Sequence, residues 1–458
     1  MSNEFLEPSS ENGGLHRSLS NRHLQLIAIG GAIGTGLFMG SGKTISLAGP
    51  SILFIYGLIG VMVFFVMRAL GELLLSNLNY KSFIDLFTDL IGPWAGYFVG
   101  WTYWLCWVTI GIADLSAIIY YLEFFNGGES FTPMGGLLIS TVAILFVLGL
   151  NLVTVKLFGE MEFWFAMVKI TAIIVLIAVG LWMIFTGFTS TNGTVASISN
   201  LWTHGGMFPK GLDGFLAGFQ IAIFAFVGVE LVGTTAAETQ DPKRNLPKAI
   251  NSIPIRIIIF YVLALFVVMC VTPWDQINPK VSPFVNIFSQ AGVASAAIIM
   301  NLVVLSSVMS SMNSGVFSTS RMLFGLSTDQ QAPKLFGKLS KSAVPSKALV
   351  FSSICIFIGA FVQFIYKVQT GTNDEVTAFT LATTLSTILF ICVWIIIMWS
   401  YINYRKNRPE MHAQSTFKLP GGVFTCWVVI LFFLATIYFL ALDETTLESL
   451  KVSPIWFV

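Results

Sequence analysis

GGAIGTGLF, Gly30 to Phe38, lies inside the first long apolar stretch of the chain, and four of its nine residues are glycine. In a helix interior each glycine is unfavourable by roughly 1 kcal/mol relative to alanine. A run this dense predicts that the helix opens here. Opened backbone inside a bilayer is tolerated only where protein buries it or where it lines a wet cavity. The stretch therefore reads as a binding site at mid-membrane depth. The N–H groups of Gly34, Thr35 and Gly36, at the start of the second half-helix, would face an anionic group such as a carboxylate. A small-residue helix-packing face of the GxxxG kind is the alternative.

The surroundings of this run are those of a membrane protein. Of the 458 residues 55% are hydrophobic and 10% charged, with a mean hydropathy of +0.81. A soluble domain carries about 25% charge. A net charge of +1 gives no footprint for nucleic acid. The five cysteines form no CxxC pair, so no metal site, cofactor or disulfide framework is expected.

A bilayer core takes about 20 apolar residues per helix. On that rule eleven spans fall near 24–41, 49–69, 94–125, 133–152, 163–187, 213–236, 254–273, 295–325, 348–366, 376–402 and 421–441. The expected class is an all-α polytopic membrane protein. Residues 1–21 form a polar tail with no cleavable signal pattern. Residues 22–402 form a ten-helix core. Residues 403–458 hold helix 11 and, in VSPIWFV, the opening turns of an incomplete twelfth helix. KSFIDLFTDLIG, Lys81 to Gly92, reads as a short amphipathic helix at the membrane surface.

With the N-terminus inside, all but six of the 24 lysines and arginines fall in inner segments or inner span ends. The exceptions are Lys43, Lys210, Lys280, Lys367 and Lys451 outside, and Lys169 within a span. That asymmetry is the positive-inside pattern and predicts a cytoplasmic N-terminus.

The sixth span repeats the signal of the first. GFQIAIFAFVGVELVGTTAAE, Gly218 to Glu238, carries interior glycines at 228 and 233 beside an acid, Glu230. Interrupted helices at corresponding places in two halves point to a transporter site. Spans 1 and 6 then imply two five-helix repeats, 1–5 and 6–10, of opposite topology. Carbonyls near Ala32, Phe224 and Val227 would take an ammonium, opposite the amides that take a carboxylate. This suits a zwitterionic amino acid. Phe224 and Phe226 could form an aromatic lid, against ordinary core packing for each. The Thr35 hydroxyl could add a donor.

Charges within spans are costly and mark function. Lys169 is the candidate proton-linked switch, against snorkelling to the interface. Glu230 either holds the break in span 6 by accepting N–H bonds or carries a proton. Asp114, with Ile110 and Ala113 nearby, either lines the pocket or pairs with a neighbouring helix. Glu160 and Glu162 are expected at the interface. The Ser-rich stretch before Arg321 serves close packing or lines a polar path.

GGAIGTGLF, GEMEFWFAMVK, FAFVGVELVGTTAAE and NSGVFSTSRMLFGL together resemble the amino-acid permeases of the amino acid–polyamine–organocation superfamily. Within it, IAIGGAIGTGLFMGSGKTISLAGPS and FPKGLDGFLAGFQIAIFAFVGVE are most similar to bacterial D-serine/D-alanine/glycine permeases. The resemblance implies the inverted five-plus-five fold, alternating access and proton symport. It also implies a carboxylate at Thr35 and Gly36, an ammonium at Ala32, Phe224 and Val227, and a coupling role for Lys169. The expected partners are a small amino acid, a proton and membrane lipid. Relatives usually have a complete twelfth helix, which puts any dimer contact there in doubt. A permease for larger or aromatic amino acids, or an exchanger, is the alternative. A sensor would need a signalling extension. An enzyme would need convergent catalytic groups, yet all four histidines (16, 23, 204 and 412) lie outside the expected spans.

Overall fold

The computed structural model describes residues 19, 20, 22, 23, 25, 26, 33–80, 82, 84–191, 193–279, 281–290, 294–371, 375–442, 447, 450, 451 and 453–456. These residues are helices and turns, with two isolated bridges and no strand among them. Among the described residues nine helices are long and apolar enough to cross a bilayer. The first of them, Gly40–Ser76, carries the end of span 1 and all of span 2. Gly49, with φ +61, and Pro50 divide it into Gly40–Ala48 and Ile52–Ser76. A side chain at Gly49 would put Cβ 2.4 Å from Pro209 Cγ.

Spans 3 (Pro93–Glu123), 4 (Pro133–Val153), 5 (Val155–Thr186), 8 (Ala294–Thr328), 9 (Ser346–Thr370), 10 (Glu375–Asn407) and 11 (Gly422–Leu440) are continuous helices. Span 7 contains a π-helical turn, Ile258–Leu263, between Ile253–Ile257 and Ala264–Val271. Span 6 is short pieces from Gly211 to Glu238, so it does not count among the nine.

Local signals set these ends. Pro93 and Pro133 stand at first helical positions, where the missing N–H is not needed. Thr132 and Thr154 cap spans 4 and 5 by accepting the N–H of Gly135 and Leu157. The Thr154 cap starts span 5 at Val155, well before the apolar run at Phe163 that marked it in the sequence. The surface helix expected over Lys81–Gly92 is the shorter Asp85–Leu90, with Leu86, Phe87 and Leu90 buried. Near the C-terminus one 3-10 turn, Ser453–Trp456, is described, and Trp456 Nε1 donates to Thr102 Oγ1 of span 3 at 3.2 Å.

Span 3 is the axis of the bundle, packed mainly on spans 8 and 10. Of its apolar window 78% is buried, against 33% for spans 4, 5 and 9, which present the rest outward. Bulky apolar side chains such as Leu138, Trp164 and Phe185 cover that outer surface, as a lipid-facing bundle requires.

Candidate binding site between two interrupted helices

The first interruption falls within the glycine run. Gly34 is extended (φ −119, ψ −163) and the helix begins at Thr35. The amides of Gly34, Thr35 and Gly36 lead this first turn, where helical geometry supplies no carbonyl. Ser307 Oγ of span 8 donates to Ile33 O at 3.2 Å. Ala32 lies outside the described residues.

The second interruption faces the first. Phe224–Phe226 forms a 3-10 turn, Val227 is extended, and Gly228 has φ +99, a conformation that favours glycine. Helix resumes at Leu231. Glu230 Oε1 accepts the Gly228 N–H at 3.1 Å and the Tyr103 hydroxyl at 3.2 Å. The acid thus sits across the break, fully buried. Tyr261, in the π turn of span 7, donates its hydroxyl to Ala225 O at 2.7 Å.

The two breaks meet backbone to backbone. A Cβ on Gly36 would lie 2.7 Å from Ala225 Cα and 2.8 Å from Ala225 N. Beside this contact is a cavity of about 20 Å³ measured to the centre of a water-sized sphere, which is room for roughly one water. Gly34, Thr35 and Gly36 form one wall; Phe224, Ala225 and Val227 form the other. Trp107 and Ile110 from span 3, Leu231, and Ser311 and Ser314 from span 8 complete it.

Several side chains stand elsewhere than the sequence reading put them. Phe224 lines the cavity, but Phe226 does not. Phe226 is buried against Tyr56 and stacks on Tyr261 at a centroid distance of 4.9 Å. The 3-10 turn explains this, because it rotates about 120° per residue and sends residues two apart to different sides. The Thr35 hydroxyl is not aimed at a ligand: it donates to Asp114 Oδ1 at 2.6 Å, fixing the first turn to span 3. Asp114 is buried and pairs across helices rather than lining the cavity, and Ala113 is likewise buried off it.

Lys169 does not snorkel. It is fully buried, and its Nζ donates to Ser310 Oγ at 3.0 Å. Glu162 is not interfacial either: it stands on the face of span 5 turned to span 8 and is 1% exposed. Ser310 Oγ donates to Glu162 Oε2 and Asn313 Nδ2 to Glu162 Oε1, each at 2.7 Å. Asn151 Nδ2 of span 4 donates to Asn313 Oδ1 at 2.8 Å. Glu160 stays near the surface, paired with Arg22 and His23. Arg321 pairs with Glu238 at 3.2 Å, both buried.

Trp107, Leu231, Ser311 and Ser314 line the cavity without having been singled out in the sequence, and Glu162 was expected at the interface. Two signals could have found some of them. Ser307, Ser311 and Ser314 recur at steps of four and three, one face of a helix. Glu162 precedes Lys169 by seven, two turns on the same face.

The bundle defines a multi-pass membrane protein. The chain belongs to the amino acid permease family, whose model matches residues 23–450. It is 59% identical to the D-serine/D-alanine/glycine transporter of Escherichia coli K12, over 97% of this chain and 92% of that one. It is 49% identical to amino-acid permease AapA of Bacillus subtilis, over 97% and 93%. It is 39% identical to the probable threonine/serine transporter YbxG of the same organism, over 96% and 93%.

Proposed function

We propose that the chain imports small neutral amino acids, with D-serine, D-alanine and glycine as its substrates, by proton symport with alternating access. The observation that carries this reading is the pair of interrupted helices on opposite walls of one cavity. Amides at Gly34, Thr35 and Gly36 receive the carboxylate. Carbonyls at Phe224 and Val227, with Ala32, receive the ammonium. Such a pair of opposed backbone sites reads the part common to every amino acid. Size selection falls to the side chains that bound the cavity, Trp107, Ile110 and Phe224. The high identity to the Escherichia coli transporter supports the same substrates. No chemical step belongs to this reading, and the relatives are named as transporters or permeases rather than enzymes.

Lys169 is the proton-coupling group, with Glu230 as the second candidate. A cationic ammonium bridged to span 8 differs from a neutral amine, so its protonation can bias how spans 5 and 8 sit against the first helix. The protein resides in the cell membrane with its N-terminus cytoplasmic, an orientation that the lysine and arginine asymmetry supports. Spans 1–5 and 6–10 form inverted repeats within a core of residues 22–402. Residues 1–21 are a tail and 403–458 an appendage outside that core.

Competition tests the substrate reading. Uptake of labelled D-alanine into proteoliposomes is measured against excess unlabelled amino acids. Glycine and D-serine are expected to compete strongly, phenylalanine and leucine weakly. Competition by the large side chains alone would overturn the assignment.

A further inference from the structure

Glu162 is a buried carboxylate that the coupling reading leaves unused. Two stripes of span 8 explain where it sits. Ser311 and Ser314 line the cavity, while Ser310 and Asn313, on the adjacent stripe, bond to Glu162, with Ser314 also within reach of that carboxylate. Ser310 has one hydroxyl and serves two ionisable groups with it. It accepts from Lys169 Nζ at 3.0 Å and donates to Glu162 Oε2 at 2.7 Å. Donor, relay and acceptor are therefore aligned for proton transfer.

We propose that Glu162 is the acceptor of the transported proton, which reaches it from Lys169 through the Ser310 hydroxyl. The inference rests on the reading of Lys169 as the coupling group. An N–H bond of the Lys169 ammonium breaks as an O–H bond forms on Ser310. The original Ser310 O–H bond breaks as one forms on Glu162 Oε2. Lys169 becomes a neutral amine, Glu162 a neutral acid, and Ser310 is regenerated. No proton is gained or lost and the buried pair stays electrically neutral overall, which avoids stranding one charge in the bundle. Glu162 lies seven residues nearer the start of span 5, a rise of about 10 Å, which is toward the cytoplasm in the proposed orientation. Asn313 holds the other carboxylate oxygen and is itself held by Asn151, so the acceptor is fixed by two neighbouring helices. The charged groups in electrostatic range are Lys169 for Glu162, and both Glu162 and Asp114 for Lys169.

The test uses full-length protein in proteoliposomes loaded with D-alanine or empty. Two readouts are taken, uptake driven by an inward proton gradient and gradient-free exchange of labelled for unlabelled substrate. E162Q and S310A are expected to lose gradient-driven uptake by about tenfold or more while exchange falls far less, and E162D is expected to restore part of the coupling. Equal loss of both readouts in E162Q would mean a structural role and overturn the proposal. Should E162Q fail to fold, S310A decides, because it keeps the carboxylate and removes the relay. Wild-type coupling in S310A overturns the proposal. K169A separates the two levels. Coupling lost in K169A and kept in E162Q and S310A overturns this inference alone. Coupling kept in K169A overturns the reading beneath it.

Discussion

Gly36 shows how closely the two interrupted helices approach. Its missing side chain is occupied by the backbone of Ala225, which no rotamer change can move away. G36A is expected to force the breaks apart. Overpacking of this kind costs about 1–3 kcal/mol, and here the strain falls on the binding wall itself. Substrate affinity should therefore drop by at least about tenfold, the equivalent of roughly 1.4 kcal/mol, as measured by the concentration dependence of D-alanine uptake. G40A, whose Cβ would meet the Cγ2 end of Ile221 rather than backbone, should be milder in the same assay. At this scale the glycine run was legible, because a helix cannot absorb so many glycines without cause. The direction of individual side chains was not. Phe226 and the Thr35 hydroxyl were assigned to the site from proximity in sequence, and the 3-10 turn and the Asp114 bond sent them elsewhere.

At the scale of the element, the break in span 6 depends on one acceptor. The Gly228 amide and the Tyr103 hydroxyl converge on the same oxygen of Glu230, Oε1. A glutamine offers that oxygen in the same place, whereas alanine leaves both donors without it. E230Q should retain substrate affinity near the wild-type level. E230A should lose stability by about 1–3 kcal/mol, the usual cost of stranding a buried polar group, and bind poorly. Thermal unfolding in detergent and equilibrium binding of glycine check both. Element boundaries explain the main misreading along the chain. Hydropathy located span 5 by its apolar run, but the Thr154 cap starts the helix at Val155. Within those added turns Glu162 faces span 8 and is buried, while Glu160, two residues away, stays near the surface. Caps are short polar signals, and a long apolar run masks them.

Across the whole molecule, the N-terminal segment at Leu19 is tied to the chain that follows span 6. Leu19 N donates to Glu238 O and Gln240 N to Leu19 O, each at 3.0 Å, so the N-terminal segment pairs with the chain just after span 6. The buried Glu238–Arg321 ion pair joins that segment to span 8, and Arg321 also lies 3.6 Å from the Phe317 ring centroid. Removing one partner of a buried pair typically costs about 3–5 kcal/mol, while replacing both is far less damaging. R321M should therefore lower the unfolding temperature more than the E238L/R321M double variant does. None of these links was legible in the sequence, since Leu19, Glu238 and Arg321 are brought together only by the fold. The all-α multi-pass class and most of the spans were legible, because bilayer thickness and backbone hydrogen bonding leave few other ways to read such a chain; eleven spans were expected, and nine helices of membrane-crossing length stand among the described residues.

The most direct test of proton-coupled import through this site is uptake of labelled glycine, D-alanine and D-serine into proteoliposomes, with and without an inward proton gradient, for the wild type and K169A. The expected result is accumulation driven by the gradient in the wild type and its loss in K169A. Uptake that ignores the gradient in the wild type, or that survives undiminished in K169A, would contradict the coupling mechanism.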